Sequence, residues 1–242
     1  MIPYEPFPYQ WERRYKELID CRKKYGLCGL MESHHYGFYP SFVSEFAKTY
    51  YFEDSKKSGN TLLPVLARLY EERNVEKVDN ALRIWSDTIR EYVVSGEDQY
   101  GPFRIGPAYP ICYMKIFNSP ESDYAHFGTR ILNTEYNPYL QASASPISSP
   151  GLRNSVSVKQ FAKMEKMMDD GISILESIEN PNDDLLELID LGKFIKYTVH
   201  TAINVKQFNK FRVQMDNVLE NKSIEKCLNK MEEICRDEIE KC

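Results

Sequence analysis

A single short stretch with the pattern of a buried strand constrains the fold of this chain more than any other feature. It is LCGLMES, residues 27–33, and it lies between a helix predicted at residues 9–24 and another predicted to begin near Pro40. A buried strand needs neighbours, because each unpaired backbone N–H or C=O group costs about 1–3 kcal/mol. One βα repeat forms no sheet. Either short strands are hidden in the later loop region, or the polypeptide that completes the sheet lies outside this sequence. We expect the second.

Most of the remaining sequence has apolar residues at helical spacing. Helices are predicted at residues 61–73 and 76–94, and again after a capping box formed by Ser157 and Gln160. Residues 95–154 carry many of the prolines and glycines and a serine-rich tract, and they are predicted to form a long loop region.

These patterns predict a mainly α fold class. The predicted architecture is the end of a (β/α) barrel, built as helix-strand-helix and followed by a helical domain. The terminal βα portion is assigned to residues 1–60, and the helical C-terminal domain to residues 61–242.

The composition argues against several classes of partner. The 242 residues carry a net charge of −5 and contain no basic helix, so we expect no nucleic acid and no anionic membrane surface as partner. No apolar run approaches about 18 residues, so no membrane-spanning segment is predicted. The N-terminus has no signal-peptide pattern and the six cysteines form no CxxC pair, so we expect reduced thiols in a cytoplasmic protein.

Polar residues stand at the end of the predicted strand. In a parallel α/β barrel the active site lies at the carboxyl ends of the strands, which is where Glu32, His34, His35 and Tyr36 fall. Glu32 is the candidate catalytic residue, because a carboxylate can accept a proton or bind a hydroxyl. The other three are candidate substrate-binding residues. The competing interpretation is that these side chains only satisfy backbone groups of a loop.

A metal site is not predicted at this cluster. Glu32, His34 and His35 are possible zinc ligands, but the i, i+4 spacing of the two histidines on a zincin helix is absent. An independent small enzyme that uses Glu32 and the histidines, with or without a metal, is the least favoured interpretation.

A second polar segment, SGEDQYGPFRIGPAYP at residues 95–110, combines hydrogen-bonding side chains with aromatic rings. Carboxylates and amides pair with sugar hydroxyls, and rings cover the apolar face of a sugar. Its glycine spacing does not fit a phosphate loop, and no cofactor is predicted. The candidate substrate-binding residues are Glu97, Asp98, Gln99, Tyr100 and Arg104. The alternative is a structural loop in which Arg104 pairs with Glu97 or Asp98.

Other chemistry-bearing residues are interpreted as structural. His200 is predicted to be a packed or surface histidine on a long helix, rather than a ligand. Cys227 and Cys235 stand in phase with apolar residues and are interpreted as small core residues.

Two segments of the chain resemble known enzymes. They are GLMESHHYGFYPSFVSEFAK, residues 29–48, and WSDTIREYVVSGEDQYGPFRIGPAYP, residues 85–110. Both are similar to the C-terminal part of large bacterial glycoside hydrolases that join a TIM-barrel catalytic domain to a helical domain, broadly like α-glucuronidase and β-hexosaminidase relatives. The later helices match only in being helical.

The resemblance implies that Glu32 to Tyr36 end a late barrel strand near the substrate pocket, and that residues 97–104 border this pocket. It implies a carbohydrate substrate. Such enzymes are much longer, so it also implies a barrel portion outside this sequence, separately encoded or missing. Glycosidic cleavage generally needs two carboxyl groups, of which Glu32 is one candidate and Glu97 or Asp98 another.

A second interpretation, from a different class, is a non-enzymatic helical protein-interaction module. The long helix predicted at residues 183–220 and its neighbours then form a bundle, and the aromatic loops bind a protein. A strand at residues 27–33 favours the barrel interpretation, whereas a helix there favours the module.

Overall fold

The computed structural model of this protein describes a defined part of the chain. The described residues are 6–29, 44–46, 50, 62–92, 111, 150–216 and 218–241. The structural statements below concern these residues.

The secondary structure of the described residues is helical throughout, without a strand, which confirms the predicted mainly α fold class. The α-helices are α1 (Pro8–Tyr25), α2 (Leu62–Tyr70), α3 (Val75–Thr88), α4 (Pro150–Glu176), α5 (Asp183–Asp216) and α6 (Asn221–Lys241), and short 3-10 turns span Glu72–Asn74 and Ile89–Glu91. Residues 44–46 and 50 are also helical. Among these helices, none has both the length and the apolar composition needed to cross a membrane. The barrel end stays a prediction.

The predicted strand is wrong where the structure describes it. Residues 27–29 form neither strand nor helix, and residues 30–33 lie outside the described part. Gly26, at φ 68°, ends α1, and its N–H donates to the carbonyl oxygen of Arg22 at 3.1 Å. None of residues 27–29 is buried, so the buried environment that the strand prediction assumed is absent at these three residues.

Helix α4 begins earlier than predicted. Its first residue is Pro150, so the capping box at Ser157 is wrong, and so is the assignment of residues 150–154 to the loop region. Ser157 is buried within the helix, where it cannot cap a helix start. Proline suits a first helical turn, because its missing N–H needs no partner there.

The chain divides into two compact units. Unit 1 combines Met1–Arg90 with Met167–Phe194, and unit 2 combines Glu91–Lys166 with Ile195–Cys242. Helices α4 and α5 therefore each supply residues to both units. The predicted domain boundary at residue 60 falls outside the described residues and stays a prediction.

Trp85 of α3 lies at the centre of the core of unit 1. Its indole is fully buried, and Nε1 donates a hydrogen bond to the carbonyl oxygen of Met168 at 3.0 Å. A Cβ on Gly171 of α4 would overlap Nε1, and a Cβ on Gly192 of α5 would lie 2.5 Å from Cη2. Because no side chain fits at such distances, the two glycines form a slot for the indole.

Helix α1 packs against α3 through polar contacts in its first turn. The backbone N–H of Tyr9 donates to Oγ of Ser86 at 3.2 Å, and the Gln10 side-chain amide donates to the Ser86 carbonyl oxygen at 2.8 Å. The Tyr9 hydroxyl donates to the Asp79 carboxylate, and the guanidinium of Arg83 lies 4.2 Å from the centre of the Tyr9 ring. These contacts fix the start of α1 on α3.

Unit 2 is built around the second half of α5. From Thr198 to Phe208, almost every side chain is buried, around the whole circumference of the helix. Phe208 packs with Met231 and Ile234 of α6. Several of the buried residues on α5 are polar, and such groups need hydrogen-bond partners inside the protein.

Two substitutions test the glycine slot. Trp85→Ala should lower the free energy of unfolding by about 3–5 kcal/mol, because it removes a buried tryptophan. Gly171→Ala should also destabilise the protein, although alanine normally gains about 1 kcal/mol over glycine inside a helix, because the new Cβ meets the indole. Urea unfolding followed by circular dichroism measures both changes.

Gly29→Ala is the matched control, because Gly29 is surrounded by open space and its backbone does not have a positive φ. We expect it to alter the free energy of unfolding by less than about 1 kcal/mol. A Gly171→Ala variant that is more stable than the parent protein would contradict the slot.

Candidate functional site

The site residues predicted from the sequence lie outside the described residues. They are Glu32, His34, His35, Tyr36, Glu97, Asp98, Gln99, Tyr100 and Arg104. The assignment of Glu32 as catalytic and of the other eight as substrate-binding therefore stays a prediction.

A partly buried network of polar side chains in unit 2 is the candidate site that the described residues offer. We call it the His200 cluster. Its members are Glu165 of α4, His200, Thr201 and Asn204 of α5, and Asp237, Glu238 and Lys241 of α6.

Helical spacing explains how these residues come together. Residues four positions apart lie on the same face of a helix, so His200 and Asn204 share one face of α5, and Asp237 and Lys241 share one face of α6. Because α5 is buried around His200, its polar side chains require partners from other helices. The carboxylates of α4 and α6 supply the acceptors.

The imidazole of His200 is held between two carboxylates. Its Nδ1 lies 2.8 Å from Oε1 of Glu165, and its Nε2 lies 2.5 Å from Oδ2 of Asp237. Each nitrogen must carry a hydrogen to donate to its carboxylate, so the arrangement fits the doubly protonated imidazolium. The hydrogen bond to Glu165 is the main cause that raises the pKa of His200; burial opposes it, and the bond to Asp237 reinforces it.

Asp237 is held in its charged form. Burial alone would raise its pKa, but hydrogen bonds from Asn204, Lys241 and His200 together outweigh this effect and lower the pKa to about 2. Nζ of Lys241 lies 3.0 Å from Oδ1, and Nδ2 of Asn204 lies 3.0 Å from Oδ2. Both carboxylate oxygens of Asp237 therefore have a donor.

Glu238 is bonded in the same manner from α5. The Thr201 hydroxyl donates to Oε1 at 2.5 Å, and Nδ2 of Asn204 donates to Oε2 at 2.7 Å. Asn204 thus bonds both acidic members of the cluster on α6. The cluster joins α5 to α6 through His200, Thr201 and Asn204 at once.

This geometry limits the chemistry of the His200 cluster. A general acid or base must reach a substrate proton, but both ring nitrogens of His200 already contact carboxylates. Within the described part of the chain, no group of three His, Cys, Asp or Glu side chains is arranged to hold a metal ion. The cluster is therefore suited to joining helices and responding to protons rather than to transforming a substrate.

From the sequence, His200 is predicted to be a packed or surface histidine on a long helix, and no carboxylate partner is predicted for it. The available signal was the pairing of polar residues at i, i+4 spacing, at His200 and Asn204 in the buried second half of α5 and again at Asp237 and Lys241 on α6. The pairing of α5 with α6 is tertiary information, which this spacing does not contain.

No protein-family description, curated protein or solved structure matches the chain.

The two carboxylates should each control the protonation of His200. Glu165→Gln and Asp237→Asn both remove a negative charge that stabilises the imidazolium, so each should lower the pKa of His200 toward its ordinary value. The effect of Glu165→Gln should be larger, because its hydrogen bond is the leading cause of the shift. The pH titration of the imidazole C–H resonance by NMR measures this pKa, with His200→Gln identifying the signal.

Glu240→Gln is the control, since Glu240 is an exposed acidic residue on the same helix α6. It should leave the titration of His200 almost unchanged. A titration curve that is the same in the parent, Glu165→Gln and Asp237→Asn proteins would show that the two carboxylates do not hold the imidazolium.

Proposed function

We propose that this chain is the C-terminal portion of a carbohydrate-active glycoside hydrolase, and that it contributes sugar-binding residues at the rim of a catalytic barrel. The resemblance of residues 29–48 and 85–110 to such enzymes supports the proposal. In the proposed enzyme Glu32 is a catalytic carboxylate. The residues proposed to bind the carbohydrate are His34, His35, Tyr36, Glu97, Asp98, Gln99, Tyr100 and Arg104.

The structural observation that carries the proposal is the burial of Trp85. This residue begins the second resembling segment, and its fully buried indole fixes α3 in the core of unit 1. The 3-10 turn after α3 ends at Glu91, and the polar and aromatic residues 97–104 follow closely in sequence. Binding residues are commonly carried on a segment that a rigid scaffold positions, and α3 is a rigid element that precedes residues 97–104 in sequence.

The proposed chemistry is general acid–base cleavage of a glycosidic bond. Two carboxyl groups flank the bond, about 5–5.5 Å apart when the stereochemistry is retained and about 6.5–9.5 Å apart when it is inverted. Glu32 is proposed as one of them. The other is Glu97, Asp98 or a carboxyl group of the barrel portion that the proposal places outside this sequence.

A non-enzymatic interaction module is the second candidate, and one feature of unit 2 favours it. Leu228 and Ile239 of α6 are 44% and 78% exposed and lie on one face of the helix, about three turns apart. Exposed apolar residues in such a row are typical of a helix that packs against another protein. This alternative predicts that the chain binds no oligosaccharide, so one titration separates the two candidates.

Carbohydrate binding by the purified chain is the direct test. The probe is a panel of oligosaccharides that contain glucose, xylose, N-acetylglucosamine or glucuronic acid in α or β linkage, and binding is measured by calorimetry. We expect one class to bind. Tyr100→Ala should weaken this binding about tenfold, or by about 1.4 kcal/mol, because the proposal places the Tyr100 ring against the sugar.

Tyr25→Ala is the matched control, since Tyr25 is a tyrosine of the described part with 71% of its surface exposed. It should leave the affinity unchanged. If no oligosaccharide binds, or if both tyrosine variants weaken binding equally, the proposed sugar-binding role of residues 97–104 is rejected and the module gains support.

Turnover is expected to require the barrel portion outside this sequence. The purified chain should therefore show little or no release of nitrophenol from aryl α- and β-glycosides, because the proposal assigns most of the catalytic barrel that aligns the two carboxyl groups to polypeptide outside this sequence. Addition of the barrel portion should restore turnover, and Glu32→Gln should then abolish it with little change in thermal stability. Turnover by the chain alone would reject the requirement for a separate barrel.

A further inference from the structure

Helix α6 is attached to α5 by polar side chains as well as by an apolar contact. His200, Thr201 and Asn204 of α5 all bond the acidic residues of α6. Hydroxyl and amide groups keep their hydrogens at any ordinary pH, whereas histidine is the side chain that normally gains or loses a proton near neutrality. Within this attachment, only the bond from His200 to Asp237 changes its donor as the pH changes.

We propose that the His200 cluster is a proton-dependent latch, which holds α6 on α5 while the imidazole is protonated and loosens α6 when the proton is lost. The latch goes beyond the proposed glycoside hydrolase function and does not depend on it.

The charged groups around the imidazole determine what happens when its proton leaves. Glu165 faces it from α4, and Asp237, Glu238 and Lys241 lie beside it on α6, while Thr201 and Asn204, the other members of the cluster on α5, are neutral. A neutral imidazole has one N–H and can donate to one carboxylate only. The other ring nitrogen then turns a lone pair toward a carboxylate oxygen, so one of the two bonds is lost.

The bond that is lost is the one to Asp237. Nε2 of His200 lies 3.1 Å from Nδ2 of Asn204 on α5 and 3.3 Å from Nζ of Lys241 on α6, so either donor can bond to a deprotonated Nε2. Nδ1 faces the carboxylate of Glu165 and keeps its hydrogen. Loss of the proton therefore removes the attraction between the positive imidazolium and the carboxylate of Asp237, and a single hydrogen bond to a neutral imidazole replaces this ion pair.

The sign of the pH dependence follows from these contacts. The hydrogen bond to Glu165 is the larger cause of the raised pKa of His200, and the bond to Asp237 raises it further while the latch is closed. The latch therefore contributes its full stabilisation below the pKa that His200 has with α6 open, and loses it as the pH rises through the higher pKa that it has with α6 closed. The pKa of Asp237 is about 2, so this carboxylate stays charged over the whole range and its own titration adds nothing. Helix α6 should thus open more readily in alkaline solution.

Hydrogen exchange of the full chain, followed by mass spectrometry from about pH 6 to about pH 9, measures this opening once the intrinsic effect of pH on exchange is removed. The opening constant of α6 should increase by about tenfold, which corresponds to a difference of about one unit between the pKa of His200 with α6 closed and open. The constant for α4 should change less, because Glu165 keeps its bond. In His200→Gln the dependence of α6 on pH should disappear.

Cys235 of α6 needs its own control, because burial raises its pKa and a thiol can also titrate in this range. Cys235→Ala should keep the full pH dependence. Asp237→Asn removes the negative charge on α6 that attracts the imidazolium, and it leaves the sequence of α5 unchanged. It should therefore make the opening constant of α6 nearly independent of pH, and it provides the test if His200→Gln does not fold. A flat profile in the parent chain, or an unchanged slope in Asp237→Asn, would overturn the latch.

Discussion

The packing of Trp85 between two glycines is the contact on which unit 1 depends. Glycine inside a helix costs about 1 kcal/mol relative to alanine, so Gly171 and Gly192 together cost about 2 kcal/mol. Burial of an indole removes about 150–250 Å² from water, which is worth roughly 4–6 kcal/mol. The gain exceeds the cost, and it is available only because both glycines lack a Cβ. The hydrogen bond from Nε1 of Trp85 to the carbonyl oxygen of Met168 also fixes the orientation of the indole ring.

Regular apolar spacing was enough to predict the helices, but it could not predict where α4 begins. Phe161, Met164 and Met168 recur at helical spacing and are all buried. Ser157 has the local pattern of a helix cap, yet it is inside α4, because tertiary packing buries its side chain and local patterns contain no information on packing. The strand prediction is wrong at residues 27–29 for a related reason, because apolar composition alone does not determine whether a segment is buried.

The His200 cluster shows where sequence reasoning about a site reaches its limit. The i, i+4 pairs of polar residues on α5 and α6 can be read from the sequence, and they identify faces that need partners. Which faces meet cannot be read in this way, because Glu165 and Asp237 are separated from His200 by 35 and 37 positions. The predicted residues of the other site, from Glu32 to Arg104, stay predictions because they lie outside the described part.

The protonation states of the His200 cluster also restrict which residue can be the general acid of the proposed glycosidase. A general acid has to be protonated near the working pH and must give its proton to the leaving oxygen. Asp237 fails the first condition, because hydrogen bonds lower its pKa to about 2, and His200 fails the second, because its two N–H groups point at carboxylates. Groups that stabilise a fold through fully paired charges are thereby unsuited to proton transfer. The proposal therefore assigns no acid to the His200 cluster and keeps its carboxyl groups at Glu32, in the segment around Glu97 and Asp98, or in the rest of the barrel.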